Sequence, residues 1–369
     1  MKKYRILNAS AKLLILLTFS ILFNSCNGQE KKNALNKSDS EISDSSGYES
    51  KTNQIKTVDV NVSFHFPNFE NKISDVVRTM YQDHKGNFWF GTQNGAFKVL
   101  GDSLIHIDNV ISESGKGVTI KAITESEDGK IWLGHESGIS KIDGELVTNY
   151  YESDGLISND VWSMAADKNG SIWIGTIDGV CVFDGHKFTK MDLPEGKINT
   201  DLAISSTKMV NHIMEDSKGK IWFSTNGGIY VYSNNSVINI SEKDGLNTSF
   251  VNMVIEGQNG DFWISTPKGL FQYKNDTLIN VTKNLFKEDV GTGWVIEDSK
   301  GAIWFNCSRR IFRLNNGELT EHRLSDENNG PLTFQIYEDH KERLWFIGFG
   351  GAFRYENDRF INVTKNGPF

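Results

Sequence analysis

The sequence predicts an all-β fold, a seven-bladed β-propeller with four antiparallel strands in each blade. The first observation is a tryptophan that returns at intervals of 43, 41, 49, 41, 41 and 41 residues. The second is the phrase around it, in which an acid-containing turn leads into a short apolar strand. A period of about 40 residues with one tryptophan per unit is typical of propellers and similar arrays. The seven tryptophans are Trp89, Trp132, Trp173, Trp222, Trp263, Trp304 and Trp345.

The third repeat shows how one unit is expected to fold. Its four strands are predicted at residues 161–166, 171–176, 179–183 and 186–190. Trp173 lies in the middle of the second strand. Its ring is large enough to fill the wedge between two neighbouring blades.

The turn before the second strand contains an acid and a glycine in most repeats. An aspartate that accepts hydrogen bonds from its own turn, followed by glycine at positive φ, is ordinary hairpin chemistry. A calcium site is the alternative, but the oxygen ligands do not follow one another at EF-hand or nonapeptide spacing. The sequence therefore favours a structural role. The complete pairs are Asp83/Gly86, Asp167/Gly170, Asp216/Gly219 and Asp298/Gly301.

These phrases carry a family resemblance. The pattern Asp-x-x-Gly-x-Ile-Trp-Ile-Gly-Thr and the segment Gly155-Leu-Ile-Ser-Asn-Asp-Val161 resemble the two-component regulator propeller repeat, over residues from about 70 to 365. The resemblance implies the extracytoplasmic sensor propeller of hybrid histidine kinases, many of which recognise oligosaccharides. Such sensors usually continue into an immunoglobulin-like domain, a membrane helix and a kinase. Because this sequence ends at Phe369, we expect a stand-alone lipoprotein here.

Residues 1–25 predict a lipoprotein signal peptide. A basic start precedes an apolar run over residues 13–22, and Ser25 precedes Cys26. The resemblance to a lipobox implies that Cys26 is acylated and anchors the protein in the bacterial cell envelope, at the outer membrane or cell surface. An ordinary signal peptide or a single membrane anchor is the alternative, although the apolar run is short for a membrane span.

The domain boundaries follow from composition. Residues 26–56 are polar and predict a disordered tether, since they cannot bury enough apolar surface to offset their ordering entropy. Residues 57–369 then form the propeller. Within them, residues 58–66 alternate strictly between apolar and polar, which predicts a strand that pairs near the seam of blades 7 and 1 and closes the ring.

Composition also limits the partners. A net charge of −8 repels nucleic-acid phosphates, so we expect no nucleic-acid partner, and membrane contact only through the lipid anchor. Three cysteines are too few for a disulfide framework, and Cys181 and Cys307 are expected as buried thiols. No cofactor and no metal site are predicted.

Strand parity places the turns between second and third strands, and the connections between blades, on one face, here called the top face. Varied loops on a rigid scaffold usually carry binding residues. The loop over residues 192–203, inside the 49-residue interval, is expected to cover a pocket there. The candidate ligand-binding residues are Arg78, Lys121, Trp162, Asn211, His212, Asn252, Trp294 and Phe334 from the first strands, with His135 and Arg309 from the top turns.

Aromatic faces, amides and cations together suit a polar small ligand such as an oligosaccharide. The alternative for Trp162 and Trp294 is wedge packing. We therefore expect a non-catalytic, sensor-like envelope lipoprotein that binds a carbohydrate at the top of the channel. A protein-interaction platform with an envelope partner is the first alternative. A propeller lyase or hydrolase is the second, although no acid or hydroxyl is evidently paired with His135 or His212.

Overall fold

The computed structural model describes residues 48–49, 53–54, 67–198, 202, 206–241, 245–246, 248–283, 285–286, 290–307, 309–323 and 331–369. The predicted signal peptide, Cys26, the predicted strand at 58–66 and most of the tether lie outside these ranges. Over the described ranges no helix is long and apolar enough to cross a membrane.

Strands β1 (Tyr48–Glu49) and β2 (Asn53–Gln54) precede the blades. Blade 1 contains β3 (Val77–Gln82), β4 (Phe88–Thr92), β5 (Gly95–Leu100) and β6 (Ser103–His106). Blade 2 contains β7 (Ile120–Glu125), β8 (Ile131–His135), β9 (Gly138–Asp143) and β10 (Leu146–Tyr150), followed by a 3₁₀ turn at Glu152–Asp154. Blade 3 contains β11 (Val161–Ala166), β12 (Ile172–Thr176), β13 (Gly179–Phe183) and β14 (Phe188–Met191).

Blade 4 contains β15 (Val210–Glu215), β16 (Ile221–Thr225), β17 (Gly228–Ser233) and β18 (Ser236–Asn239). Blade 5 contains β19 (Met253–Glu256), β20 (Phe262–Thr266), β21 (Gly269–Lys274) and β22 (Thr277–Asn280). Blade 6 contains β23 (Thr292–Glu297), β24 (Ile303–Cys307), β25 (Arg310–Asn315) and β26 (Glu318–His322). Blade 7 contains β27 (Leu332–Glu338), β28 (Leu344–Phe349), β29 (Gly351–Glu356) and β30 (Arg359–Val363).

The seven blades confirm the predicted seven-bladed propeller, because each sheet is built from four consecutive antiparallel strands. The first strands of neighbouring blades contact one another around the ring, so they are the innermost strands and line the axis. Second strands such as β12, IWIGT, are buried along their whole length, since both faces of the sheet are covered by adjacent blades. This explains their continuous apolar sequence.

The tryptophans fill the wedges between blades, as predicted. Trp345 is fully buried and packs with Val77, Met80 and Phe90, across the seam from blade 7 to blade 1. Trp132 packs in the same way on Val161 of blade 3. The ring is therefore a series of small cores, each shared by two blades.

The acidic turn holds the tryptophan in place. In blade 3, Asp167 Oδ1 accepts the backbone N–H groups of Asn169 and Ser171 at 2.9 and 2.8 Å, while Oδ2 accepts the indole N–H of Trp173 at 2.8 Å. The structural role predicted for this turn is confirmed by these bonds. The same indole–aspartate bond occurs at Trp89/Asp83, Trp222/Asp216, Trp304/Asp298 and Trp345/Asp339, at 2.8–2.9 Å.

Two blades depart from this arrangement. In blade 2, Ser126 Oγ replaces the carboxylate and accepts the indole N–H of Trp132 at 3.3 Å. In blade 5, Gly257 stands at the acid's position, and Trp263 is less buried than the other six. A Cβ on Gly257 would lie 2.4 Å from Oε2 of Glu297, so the glutamate side chain would have to shift.

A second hydrogen bond joins neighbouring blades at this bottom face at six of the seven seams, and the sequence analysis missed it. The side chain that ends the inner strand accepts the backbone N–H of a turn residue in the preceding blade. Lys168 of blade 3, for example, donates to Glu215 of blade 4 at 3.0 Å. The other links are His84 to Glu125, Ser217 to Glu256, Gln258 to Glu297, Ser299 to Glu338 and His340 to Gln82, at 2.6–3.1 Å. Blade 3 has Ala166 at this position.

In the described part of the chain, no strand is exchanged between blades 7 and 1 at their seam. Gln335 Oε1 accepts the backbone N–H of Met80 at 2.6 Å, and isolated bridges join Val76 to Phe349 and Lys72 to Thr364. Strands β1 and β2 pair instead with β30 and β26, the outermost strands of blades 7 and 6. Both fall inside the range 26–56 that was predicted as a tether, whose remaining residues are outside the described part.

Candidate functional site

Six of the seven inner strands carry an irregularity at their top end. The pairing of β3 with β4 skips Arg78, and the equivalent residue is skipped in blades 2, 3, 4 and 7. In blade 6 the shift spans Gly293 and Trp294, and in blade 5 Asn252 stands directly before β19. A β-bulge turns its extra side chain away from the ladder. These positions form what we call the mouth ring, namely Arg78, Lys121, Trp162, Asn211, Asn252, Gly293 and Phe334, all partly exposed.

The sequence alignment on tryptophan therefore selected a structurally equivalent set. The second strand of blade 3 leaves room beside the bulge. A Cβ on Gly175 would lie 2.8 Å from Val210 of the next blade, so glycine lets that blade's inner strand approach closely at the bulge. In blade 6, Asn306 stands at this position and donates to the Thr333 carbonyl of blade 7 at 2.7 Å.

One side of the mouth ring combines cations with aromatic rings. The Arg78 guanidinium lies 5.2 Å from the ring centroid of Phe334, and Lys121 Nζ lies 4.0 Å from that of Trp162. Lys121 also forms an ion pair with Asp160, in the connection that leads into blade 3. Burial lowers the pKa of both cations, and their mutual repulsion lowers that of Lys121 further, while Asp160 opposes the shift.

The other side carries amides that bind to the next blade. Asn211 Nδ2 donates to Asn226 Oδ1 at 3.0 Å and to the Val251 carbonyl at 2.8 Å. Asn252 Nδ2 donates to the Thr292 carbonyl at 2.6 Å. These residues tie blades 4, 5 and 6 together at the mouth.

Below the amides, two rings meet across the channel. The His212 ring of blade 4 contacts the Trp294 ring of blade 6 edge to face, with centroids 5.9 Å apart. Burial lowers the pKa of His212 to about 4, so its imidazole is neutral at physiological pH. Trp294 packs against the cores on both sides of blade 6, as the wedge alternative predicts.

The two residues predicted from the top turns differ in position. His135 is fully buried, with Nε2 at 3.2 Å from Ser140 Oγ and Nδ1 accepting the Ser137 N–H at 3.3 Å. Burial and the charge of Lys121 lower the pKa of His135 to about 3. In this conformation it packs beneath the mouth and has no exposed surface. Arg309 is exposed, in the turn between β24 and β25.

Next to Arg309 the sequence analysis missed a buried ion pair. Arg310 opens the third strand of blade 6, where the other six blades have glycine. Its guanidinium binds both carboxylate oxygens of Glu321 at 2.6 and 2.5 Å, and Arg323 adds a bond of 2.8 Å to the same carboxylate. The sequence signal for this ion pair was an arginine at a position where the other six repeats have glycine.

The described part of the long loop after blade 3 lies on the top face, as expected. The backbone of Gly196 packs directly on that of Gly227, in the turn between β16 and β17. Asn226, beside Gly227, is the residue that accepts the Asn211 amide. Residues 199–201 and 203–205 lie outside the described ranges, so the expected cover over the pocket stays a prediction.

Fold and repeat together define a seven-bladed β-propeller with a ring of dissimilar side chains at one end of its axis. Residues 71–94, 155–178 and 204–227 match the two component regulator propeller family. The resemblance carried by the repeated phrases is therefore confirmed for these three segments.

Solved structures with the same fold include sensor domains and an enzyme. The extracellular domains of the hybrid two component systems BT4673 and BT3049 from B. thetaiotaomicron match at 17% and 25% identity, with TM-scores of 0.62 and 0.53. They cover 82% and 68% of this chain, but the chain spans only 40% and 34% of theirs. Virginiamycin B lyase from Staphylococcus aureus matches at 14% identity and a TM-score of 0.60, over 85% of this chain and 100% of its own. No curated protein matches the chain in sequence.

Proposed function

We propose that this propeller is a non-catalytic, sensor-like binding protein that takes a small polar ligand, with a carbohydrate as the favoured class, at the top of its channel. One observation carries the proposal. Six of the seven inner strands carry a bulge at the mouth, and the seven mouth-ring positions hold six different residue types although the scaffold beneath them repeats. Varied side chains presented together by a repeated scaffold are typical of a binding site.

An extracytoplasmic location is supported by the neighbours, which are extracellular domains of two-component sensors. We propose anchoring through Cys26 on the sequence features alone. A lipid anchor of this kind would hold the protein at a membrane, with the propeller facing the medium from the end of its tether. Palmitate labelling of wild type and Cys26→Ser tests it, since only the wild type is expected to incorporate label and fractionate with membranes.

Binding at the mouth is tested by isothermal titration of the purified protein with a panel of oligosaccharides. The mouth variant Lys121→Ala is compared with Lys168→Ala, whose lysine lies in a bottom turn at the opposite end of the blades. We expect the mouth variant to lose at least about tenfold in affinity while the bottom variant keeps it. Equal binding by both, or no binding partner in the panel, would overturn the proposal. Retention of an envelope protein whose binding no saccharide alters would favour the interaction platform instead.

The lyase alternative has weaker support. The likeness to virginiamycin B lyase concerns the fold. At the mouth, the neutral His212 faces an indole ring, and over the described residues no group of three His, Cys, Asp or Glu could hold a metal ion. The same titrations test the lyase or hydrolase alternative. If the protein converts an oligosaccharide, the reaction product will be found in the calorimeter sample after the titration.

A further inference from the structure

The mouth ring is divided into two chemically distinct parts. From blade 7 through blades 1 and 2 to blade 3 it reads Phe334, Arg78, Lys121, Trp162, and we call this run the cationic sector. Its two positive charges are adjacent, and an aromatic ring stands on each side of them. The remaining positions have no charge.

Each cation in the cationic sector is held on the face of an aromatic ring. Lys121 Nζ stands 4.0 Å above Trp162, a distance at which the ring quadrupole attracts a cation, and Arg78 lies over Phe334 in the same way. The covered faces are therefore not open for stacking on a sugar. Trp162 and Phe334 instead fix the positions of the two charges.

The acids beside the two cations are held differently. Glu136 accepts the backbone N–H of Thr119 through both carboxylate oxygens, at 2.9 and 2.7 Å, and so belongs to its loop. Asp160 pairs with Lys121, and its side chain is still 21% exposed against 9% for the lysine. Asp160 thus behaves as a counter-ion at the edge of the site, within reach of solvent.

We propose that Arg78 and Lys121 together bind an oxyanion of the ligand, a carboxylate or sulfate on an otherwise polar molecule, and that Asp160 is the internal counter-ion it displaces. The inference rests on the proposed function and narrows its ligand to acidic molecules. Two cations held side by side in a partly desolvated site attract an anion more strongly than exposed lysines do. A ligand oxyanion that contacts both cations would gain two charge-assisted hydrogen bonds. Until it arrives, Asp160 keeps the buried ammonium from being uncompensated.

The experiment titrates three probes into the isotopically labelled protein: D-glucuronate, inorganic sulfate and neutral D-glucose. The indole N–H signal of Trp162 reports on the site, because Lys121 sits on that ring. We expect glucuronate and sulfate to shift this signal, and glucose to leave it in place. Lys121→Gln should weaken glucuronate binding by about tenfold or more. Lys98→Gln is the matched control, since Lys98 lies over the Trp89 ring at 4.8 Å and outside the mouth ring.

The decisive variant is Asp160→Asn. If Asp160 competes with the ligand, its removal strengthens glucuronate binding, by about fivefold or more. A structural role alone predicts no gain, and a thermal melt of the variant checks that it is folded. Unchanged or weaker binding by Asp160→Asn, or equal binding of glucose and glucuronate, would overturn the inference. Neutral oligosaccharides that bind at the mouth while glucuronate does not would overturn it too, yet leave the proposed function standing. If no saccharide disturbs any mouth residue, both fail.

Discussion

Gln82 of blade 1 accepts the backbone N–H of His340 of blade 7 at 2.7 Å, although 258 residues separate them. The bond is the last of six that join a turn to the side chain ending the next inner strand. Gln82 Nε2 also donates to the Gly86 carbonyl at 3.0 Å, which fixes the amide's orientation. The first and last blades are thus joined by the same contact that joins consecutive ones, and this closes the ring.

Removing this contact should destabilise the ring at its closing seam. We expect Gln82→Ala to lower the free energy of unfolding by about 1–2 kcal/mol, because it leaves the His340 N–H without its acceptor. Gln82→Glu is the matched control, since five other blades use glutamate at this position. Urea denaturation measures both. Equal stability of wild type and Gln82→Ala would show that the bond does not contribute to closure.

Blade 3 offers the reverse test, because Ala166 leaves the link from blade 2 unmade. Ala166→Gln places an amide where Gln82 stands in blade 1 and should raise the free energy of unfolding by about 0.5–1 kcal/mol. A glutamine avoids the repulsion that a carboxylate would meet from Glu127 and Asp128 in the facing turn. Ala166→Leu controls for added apolar bulk. A gain with leucine as large as with glutamine would contradict the hydrogen-bond explanation.

Replacing different tryptophans by alanine should lower the free energy of unfolding by different amounts. Trp345→Ala removes a fully buried ring and its bond to Asp339, so we expect a loss of about 3–5 kcal/mol. Trp162→Ala removes a partly exposed ring on which Lys121 lies and should cost about 1 kcal/mol. Trp294, which packs on two cores, should fall between them. Thermal or urea unfolding measures the three stability losses. A large loss of stability in Trp162→Ala would show that Trp162 packs between blades as the wedge tryptophans do.

Acid should unfold the ring through its turn aspartates. Burial alone would raise the pKa of Asp83 and Asp339, but hydrogen bonds from Trp89 and Trp345, among others, outweigh it and lower both values. A carboxyl group whose pKa is lower in the folded state stabilises it above the unfolded pKa, near 4, and loses this contribution as the pH falls through the folded value. Stability should therefore drop below about pH 4, and the pH dependence should be shallower in Asp83→Asn. An unaltered profile in that variant would exclude Asp83 as a source.

The repeat made the fold predictable from sequence, whereas contacts between blades were harder to see. A tryptophan every 41 residues gives the blade count, and alignment on it placed Arg78 and Phe334 at one position before any bulge was visible. A glutamate also recurs seven residues before five of the seven tryptophans, but the group it binds is a backbone N–H, which leaves no mark in the sequence. His135 was misleading because a position in a top turn does not tell whether the side chain points inward to Ser140 or outward. The contact of Lys121 with the face of the Trp162 ring depends on the bulges of blades 2 and 3 and on the directions of their side chains. Composition and spacing do not determine either.

The central claim is that ligands bind at the mouth ring and not elsewhere on the propeller. Nine indole N–H signals can be followed together in a nitrogen–proton correlation spectrum while acidic and neutral oligosaccharides are titrated. We predict that a binding saccharide shifts the signals of Trp162 and Trp294 and leaves the seven wedge indoles in place. Shifts confined to the wedge indoles, or binding measured by calorimetry with no change at Trp162 or Trp294, would contradict it.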